Sequence, residues 1–125
     1  LPGDTVDDVV AHVREVVDDP EIEIVARPGR EASEVSSTES AGYRAIEATV
    51  ARIYPDAVVA PALVLGGTDS KNYARVADDA YRFGPLALDI SDTARLHGVN
   101  ERIGIEDYAR AIDFYEILIR ESAAP

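Results

Sequence analysis

Two short segments of the sequence combine residue types that can do chemistry, and the first is GGTDS at residues 66–70. It follows an apolar run of strand length, residues 58–65. Two glycines allow the backbone to turn sharply and to approach a ligand closely. Thr68 then offers a hydroxyl and backbone N–H groups beside a helix start, which suits a carboxylate or an oxyanion. The plainer interpretation is a strand-to-helix turn in which Asp69 caps the helix.

The second segment is RLHGVNE at residues 95–101, which contains His97. His97 lies in a glycine-containing stretch between an apolar segment and a helix, where functional residues are frequent. An imidazole that binds a metal needs an acceptor for its other N–H group, and neighbouring Asp or Glu side chains can supply one. His97 is therefore either a metal ligand or an ordinary surface histidine. The only other histidine, His12, lies off the apolar stripe of its helix and is predicted to be solvated.

The remaining residues do not complete the catalytic set of a hydrolase. The sequence has no Cys, so a metal would have to be held by His, Asp or Glu. It contains no His-x-Asp pair, no Glu-Glu pair and no Gly-x-Ser-x-Gly nucleophile turn. The adjacent acidic pairs at residues 7–8, 18–19 and 78–79 are typical of a solvated surface.

Composition excludes several classes of partner. The chain has 125 residues, 46% of them hydrophobic, which is the size and composition of one globular domain. Its formal net charge of −12 repels a phosphate backbone, so we expect no nucleic-acid partner. No apolar run approaches the ~20 residues of a membrane span, and no signal sequence opens the chain. We therefore expect no membrane partner. A cytoplasmic location is a separate expectation, which the missing signal sequence does not establish.

The first third of the chain predicts a helix, a strand and a linker. Valines with helical spacing follow Thr5, which is a suitable N-cap, and Asp18-Asp19-Pro20 ends the pattern. Residues 21–24 alternate acidic and apolar side chains, as a half-buried strand does. Residues 28–39 are rich in Pro, Gly, Ser and Glu, which predicts a linker or an active-site loop.

The rest of the chain predicts alternating helices and strands. A second helix begins after Ser40 or Thr38 and ends before Pro55. An apolar run predicts a strand at residues 58–65, and another short strand is expected near residues 81–83. A short helix from Asp69 through Val76 is predicted between them. The last helix covers residues 105–122, where apolar side chains recur with helical spacing.

Three stretches, taken in order, carry a family resemblance. They are LPGDTVDDVVAHVREVV, then VVAPALVLGGTDSKNYARVADDAYRFGPL, then RLHGVNERIGIEDYARAIDFYEILI. Together they resemble the C-terminal region of the di-zinc metallopeptidase family of aminoacylase, acetylornithine deacetylase and carboxypeptidase S. The resemblance is closest to the carboxypeptidase S branch, which includes N-acyl amino acid hydrolases.

The resemblance implies an α/β fold, with an α+β lid remnant followed by part of a three-layer α/β zinc-hydrolase domain. Residues 1–27 would be the last helix and strand of a lid and dimerisation domain. Residues 28–39 would be a linker, and residues 40–125 the C-terminal part of the catalytic domain. The lid of such enzymes often mediates dimerisation, so the resemblance also implies a homo-oligomer.

The resemblance also implies roles for individual residues. His97 matches the C-terminal zinc ligand of the family. Gly67 and Thr68 match the loop that lines the substrate pocket, and Thr93 matches a polar residue that contacts substrate. Two residues beside the ligand, Asn100 and Glu101, are expected to support it.

The full-length enzyme is expected to bind two zinc ions, or cobalt, and to hydrolyse a peptide or an N-acyl amino acid with a metal-activated water. The other ligands and the catalytic Glu lie outside this chain in the family pattern. We therefore expect this chain alone to bind no zinc and to be inactive. The alternative is a non-catalytic acidic domain that serves protein association or small-molecule binding.

Overall fold

A computed structural model describes residues 3–27, 29 and 31–123 of the chain. These residues form three α-helices and two short 3₁₀ helices. The α-helices are α1 (Val6–Val17), α2 (Ala41–Ile53) and α3 (Ile105–Ser122). The 3₁₀ helices cover Asp69–Asn72 and Ile90–Arg95. Within the described ranges, no helix is both long enough and apolar enough to cross a membrane.

The first helix begins and ends where the sequence predicts. The Thr5 hydroxyl accepts a hydrogen bond from the Asp8 backbone N–H at 3.1 Å, and the Asp8 carboxylate accepts one from the Thr5 N–H at 2.9 Å. This capping box satisfies backbone donors that the helix leaves unpaired. Asp18 ends the helix in the left-handed conformation, with a φ of 42°. None of the residues of α1 is buried, so its valine face is open in this chain.

Helices α2 and α3 pack against each other and form the small core. Val50 and Thr49 of α2 and Ala111 and Phe114 of α3 are buried. Thr49 satisfies its hydroxyl within the helix by donating to the Ala45 carbonyl at 2.7 Å. Burying a side chain such as Phe114 contributes roughly 2 kcal/mol. The predicted helices are confirmed here, and Ser40 rather than Thr38 is the N-cap of α2.

The serine-rich segment before α2 is docked against residues 79–81. The Ser36 hydroxyl accepts from the Ala80 N–H at 2.9 Å and donates to the Ala80 carbonyl at 3.3 Å. The Ser37 N–H donates to the Asp79 carboxylate at 2.7 Å, and the Tyr81 hydroxyl donates to the Ser37 carbonyl at 2.5 Å. The domain boundary at residues 28–39 stays a prediction, and two residues of that range, 28 and 30, lie outside the described residues.

The strands predicted at residues 21–24, 58–65 and 81–83 are wrong for the described chain, in which none of these segments is paired into a sheet. A strand satisfies its backbone N–H and C=O groups only through a neighbouring strand. Alternating polar and apolar residues, or a continuous apolar run, suit a strand in a sheet. Such a pattern does not provide the partner strand. The helices of the predicted α/β arrangement are confirmed. The described residues do not form its sheet. The short helix after Thr68 is confirmed but ends at Asn72, before Val76.

Candidate functional site

The GGTDS loop places the Thr68 side chain in a network of polar groups. Thr68, not Asp69, occupies the N-cap position of the first 3₁₀ helix, and its side chain makes no capping hydrogen bond there. The Thr68 hydroxyl oxygen instead lies 2.6 Å from the Ser70 hydroxyl oxygen. It also accepts a hydrogen bond from the Nε of Arg82 at 3.0 Å. The hydroxyl that the sequence singles out is thus turned toward a cation rather than toward the helix end.

Gly67 sits in open space. A Cβ atom added to Gly67 would meet no heavy atom within 4 Å, and its φ is not in the positive range that favours glycine. Neither the backbone turn nor the packing among the described residues therefore requires a glycine at this position. A requirement for glycine would have to come from a ligand or another segment lying against the loop.

His97 is displayed on a strained turn. Its φ is 60°, and that of Asn100, three residues later, is 63°. Left-handed backbone costs a non-glycine residue roughly 1 kcal/mol and is found disproportionately at functional sites. The Gly98 N–H donates to the Arg95 carbonyl at 2.9 Å, which fixes the start of the turn. The His97 side chain is exposed and makes no hydrogen bond to another described residue.

Carboxylates hold the second 3₁₀ helix, which leads into the His97 turn. Asp89 and Asp92 close a capping box at its start. The Ser91 backbone N–H donates to the Asp89 carboxylate at 2.9 Å, and this bond holds the pKa of Asp89 below its ordinary value. Asp92 also pairs with Arg95, at the other end of the helix. The residues just before His97 are therefore fixed locally.

The structure does not bring the other predicted residues to the His97 side chain. The Thr93 hydroxyl donates to the Ile90 carbonyl at 2.6 Å, within its own helix. Asn100 and Glu101 are exposed, and neither is hydrogen-bonded to His97 in the described part of the chain. The roles of His97, Thr93, Asn100 and Glu101 stay predictions.

A zinc ion does not fit the described residues by themselves. Residues 3–27, 29 and 31–123 contain no group of three or more His, Asp or Glu side chains placed to hold a metal. His97 offers one imidazole, and a tetrahedral zinc site takes three or four protein ligands.

Arg82 is a further candidate site residue, which the sequence patterns did not single out. Besides Thr68, its guanidinium contacts Ser33, where a terminal nitrogen donates to the hydroxyl at 2.7 Å. Asp78 and Asp79, four and three residues before Arg82, would pair with it in a helix. Residues 79–82 are not helical, and Asp79 accepts from Ser37 instead. The available signal was the position of Arg82 in the YRF-x-P stretch between the two candidate segments.

A groove of about 650 Å³ lies beside these groups. Arg82 and Ser33 belong to its lining. Most of the remaining lining is apolar, including Val35, Ile46, Leu63 and Phe83. A volume of this size can hold a small molecule.

Comparison with known proteins finds relatives over nearly the whole chain. A probable carboxypeptidase S-like protein of Dictyostelium discoideum is 36% identical over 123 residues, which cover 98% of this chain and 24% of the relative. The N-fatty-acyl-amino acid synthase/hydrolase PM20D1.1 of Danio rerio is 34% identical over 94% of this chain and 23% of its own length. The human N-fatty-acyl-amino acid synthase/hydrolase PM20D1 is 29% identical over 97% of this chain and 25% of its own length.

The chain thus spans about a quarter of the length of the curated relatives it matches. No protein-family model matches the chain, and no solved structure matches it either.

Proposed function

The chain is homologous over nearly all of its length to the carboxypeptidase S-like and N-fatty-acyl-amino acid synthase/hydrolase proteins, and on this basis we propose that it is part of a zinc-dependent amide hydrolase. The substrate would be a peptide or an N-acyl amino acid. The relationship over 98% of the chain is the observation that carries the proposal. Since the chain corresponds to about a quarter of these relatives, the rest of the machinery would come from other parts of the protein.

In this proposal His97 contributes one ligand to a site with two zinc ions, whose other ligands lie outside this chain. The exposed imidazole on a strained turn supports the assignment, because no described side chain competes for its nitrogen atoms. Thr68 and Gly67 would line the pocket that holds the substrate, and Thr93 would contact it. Asn100 and Glu101 would support the ligand from the same turn. By itself, the chain would neither hold the metal nor catalyse the reaction.

The experiment is an assay of the complete gene product with zinc or cobalt against N-acyl amino acids and dipeptides. We expect hydrolysis that a chelator abolishes and that zinc restores. His97→Ala should lower the affinity for one of the two zinc ions and kcat by more than tenfold, because losing even a residue that only supports a ligand typically costs roughly 10–100-fold in metal affinity or activity. His12→Ala is the matched control, since His12 is exposed on α1, and it should behave as wild type. Chelator-insensitive activity, or full activity of His97→Ala, would contradict the proposal.

The open valine face of α1 favours a second candidate function, which is association of an acidic, non-catalytic domain. Val9 and Val16 are 53% and 69% exposed, and no residue of the helix is buried. Exposed apolar stripes of this kind commonly mark surfaces that pack against a partner. A complete gene product that self-associates but neither binds zinc nor hydrolyses an amide would favour this candidate.

A further inference from the structure

Arg82 is held between two loops by neutral hydroxyl groups. Its Nε donates to the Thr68 hydroxyl at 3.0 Å, and a terminal nitrogen donates to the Ser33 hydroxyl at 2.7 Å. The Thr68 and Ser70 hydroxyl oxygens lie 2.6 Å apart, which links Ser70 to the same network. We refer to these four residues as the Arg82 cluster. Its members are brought together from positions up to 49 residues apart, so the guanidinium is positioned by the fold.

The partners of Arg82 differ from those of other arginines that are fixed in the structure. Arg52, Arg95, Arg110 and Arg120 each form an ion pair with Asp or Glu. The chain has 24 acidic residues against 12 basic ones, so carboxylates are abundant. Even so, among residues 3–27, 29 and 31–123 no carboxylate lies within ion-pair distance of Arg82. The hydroxyls orient the guanidinium without neutralising it.

Arg82 keeps hydrogen-bonding capacity for an anion. Of the five N–H groups of a guanidinium, two are used by Thr68 and Ser33, which leaves three on the terminal nitrogens. A planar guanidinium matches a carboxylate with two parallel hydrogen bonds, which an ammonium cannot do. The Arg82 side chain is exposed and therefore accessible to a ligand.

The groove beside the cluster indicates what kind of carboxylate would bind. Arg82 and Ser33 line the cavity of about 650 Å³, and the rest of its described lining is largely apolar but includes one carboxylate, that of Glu34. An anion with an apolar body can pair with Arg82 while its body covers side chains such as Val35 and Phe83. A fully polar anion could also pair with Arg82, but it would bury no apolar surface in the groove.

We propose that the Arg82 cluster binds the free carboxylate of an amphiphilic ligand whose apolar part lies in the adjoining groove. The inference rests on the proposed function, in which that ligand is the N-acyl amino acid substrate. Arg82 is then the residue that distinguishes a substrate with a free carboxylate from its amide. Thr68 and Ser33 orient the guanidinium, and Thr68 adds a hydroxyl beside the carboxylate.

The test is a binding titration with the complete gene product, treated with a chelator so that no hydrolysis occurs. The probes are N-dodecanoyl-alanine and N-dodecanoyl-alaninamide, which differ only in the carboxylate. Wild type should bind the carboxylate at least about tenfold more tightly, which corresponds to about 1.4 kcal/mol, because a hydrogen bond to a charged group is stronger than one between neutral groups. Arg82→Gln should remove this preference without weakening binding of the amide. Arg82→Lys should retain part of the preference, because it keeps the charge and loses the paired geometry.

Arg75→Gln is the matched control, because Arg75 is exposed on a separate loop, and the preference should persist. Thermal unfolding of each variant checks the fold. If Arg82→Gln does not fold, Arg82→Lys and Ser33→Ala decide, and each should reduce the preference severalfold. Equal binding of the two probes by wild type, or an unchanged preference in the Arg82 variants, would overturn the inference.

The outcomes also separate this inference from the proposed function. A preference that depends on Arg82, in a protein that hydrolyses no amide with zinc present, would support the inference and contradict the proposed function. Chelator-sensitive hydrolysis with the same KM in wild type and Arg82→Gln would leave the function in place and overturn the inference.

Discussion

At the scale of single residues, the two candidate segments present their side chains in different ways. Thr68 is engaged by Ser70 and Arg82, so its position is fixed before a ligand arrives. The His97 side chain makes no hydrogen bond to another described residue. Its orientation is set by its left-handed backbone conformation and by the turn that the hydrogen bond between Gly98 and Arg95 closes. The first arrangement suits recognition of a ligand group, and the second suits donation of a ring nitrogen to an external partner.

Gly67→Ala tests whether that glycine serves a ligand. Because the added Cβ meets nothing within 4 Å, we expect the unfolding free energy to change by no more than about 0.5 kcal/mol. If the substrate lies against the loop, KM should rise severalfold while the thermal midpoint stays unchanged. Gly84→Ala is the control for stability, since a Cβ added to Gly84 also meets nothing within 4 Å, and it should leave the unfolding free energy unchanged. A large loss of stability in Gly67→Ala would show that the glycine serves the fold.

At the scale of elements, caps rather than burial define where α1 begins. The Asp8 carboxylate accepts from the Thr5 hydroxyl at 2.6 Å and from its N–H at 2.9 Å. These two bonds hold the pKa of Asp8 below its ordinary value, and the bond from the Thr5 hydroxyl has the larger effect. Since no residue of α1 is buried, the helix depends on such local interactions to a greater degree than α2 or α3.

We expect the helicity of α1 to fall in acid. Folding lowers the pKa of Asp8, so the stabilisation is present above the unfolded pKa of about 3.9 and is lost as the pH falls through the folded value. Carbon chemical shifts of Val9 and Val10, followed by NMR from pH 6 down to about pH 2, would report the change. Thr5→Val should remove most of this pH dependence, whereas Asp7→Asn should leave it in place. An α1 that stays equally helical throughout would contradict the role of the cap.

The helices could be predicted from the sequence because their signals are local. Thr5, Ser40 and the apolar stripes lie within a few residues of the ends and faces they define. The strands could not be predicted correctly in the same way. A strand must pair with a neighbouring strand, and the local pattern of apolar residues does not show whether that neighbour exists. Arg82 was missed for a related reason, because its partners lie 14 and 49 residues away. The 3₁₀ helix before His97 does have a local signal in the sequence, the Asp89 and Asp92 pair that forms its capping box.

At the scale of the whole molecule, the described chain leaves much apolar surface open. Val58 is 91% exposed and Leu65 is 84% exposed, at the two ends of an apolar segment without backbone pairing. An open apolar segment of this kind can associate with another copy of the chain. The net charge of −12 opposes close approach of two copies, so salt should favour association.

We therefore expect the isolated chain to associate in a concentration- and salt-dependent way. Light scattering should give a mass above 13.5 kDa that rises further with added salt. Val58→Asp and Leu65→Asp should each lower this mass, because a charge in the apolar segment disfavours pairing. Val99→Asp is the control, since Val99 is also exposed, at 86%, but lies in the His97 turn. A compact monomer under all these conditions would contradict the expectation.

The two capping boxes also bear on the order in which parts of the chain fold. Each is closed by residues three positions apart, so these turns can form within microseconds, while the polypeptide is still emerging from the ribosome. The bond between Arg82 and Ser33 closes a loop of 49 residues and must wait for both of its ends. We therefore expect the turn before His97 to form early in folding and the Arg82 cluster to form late.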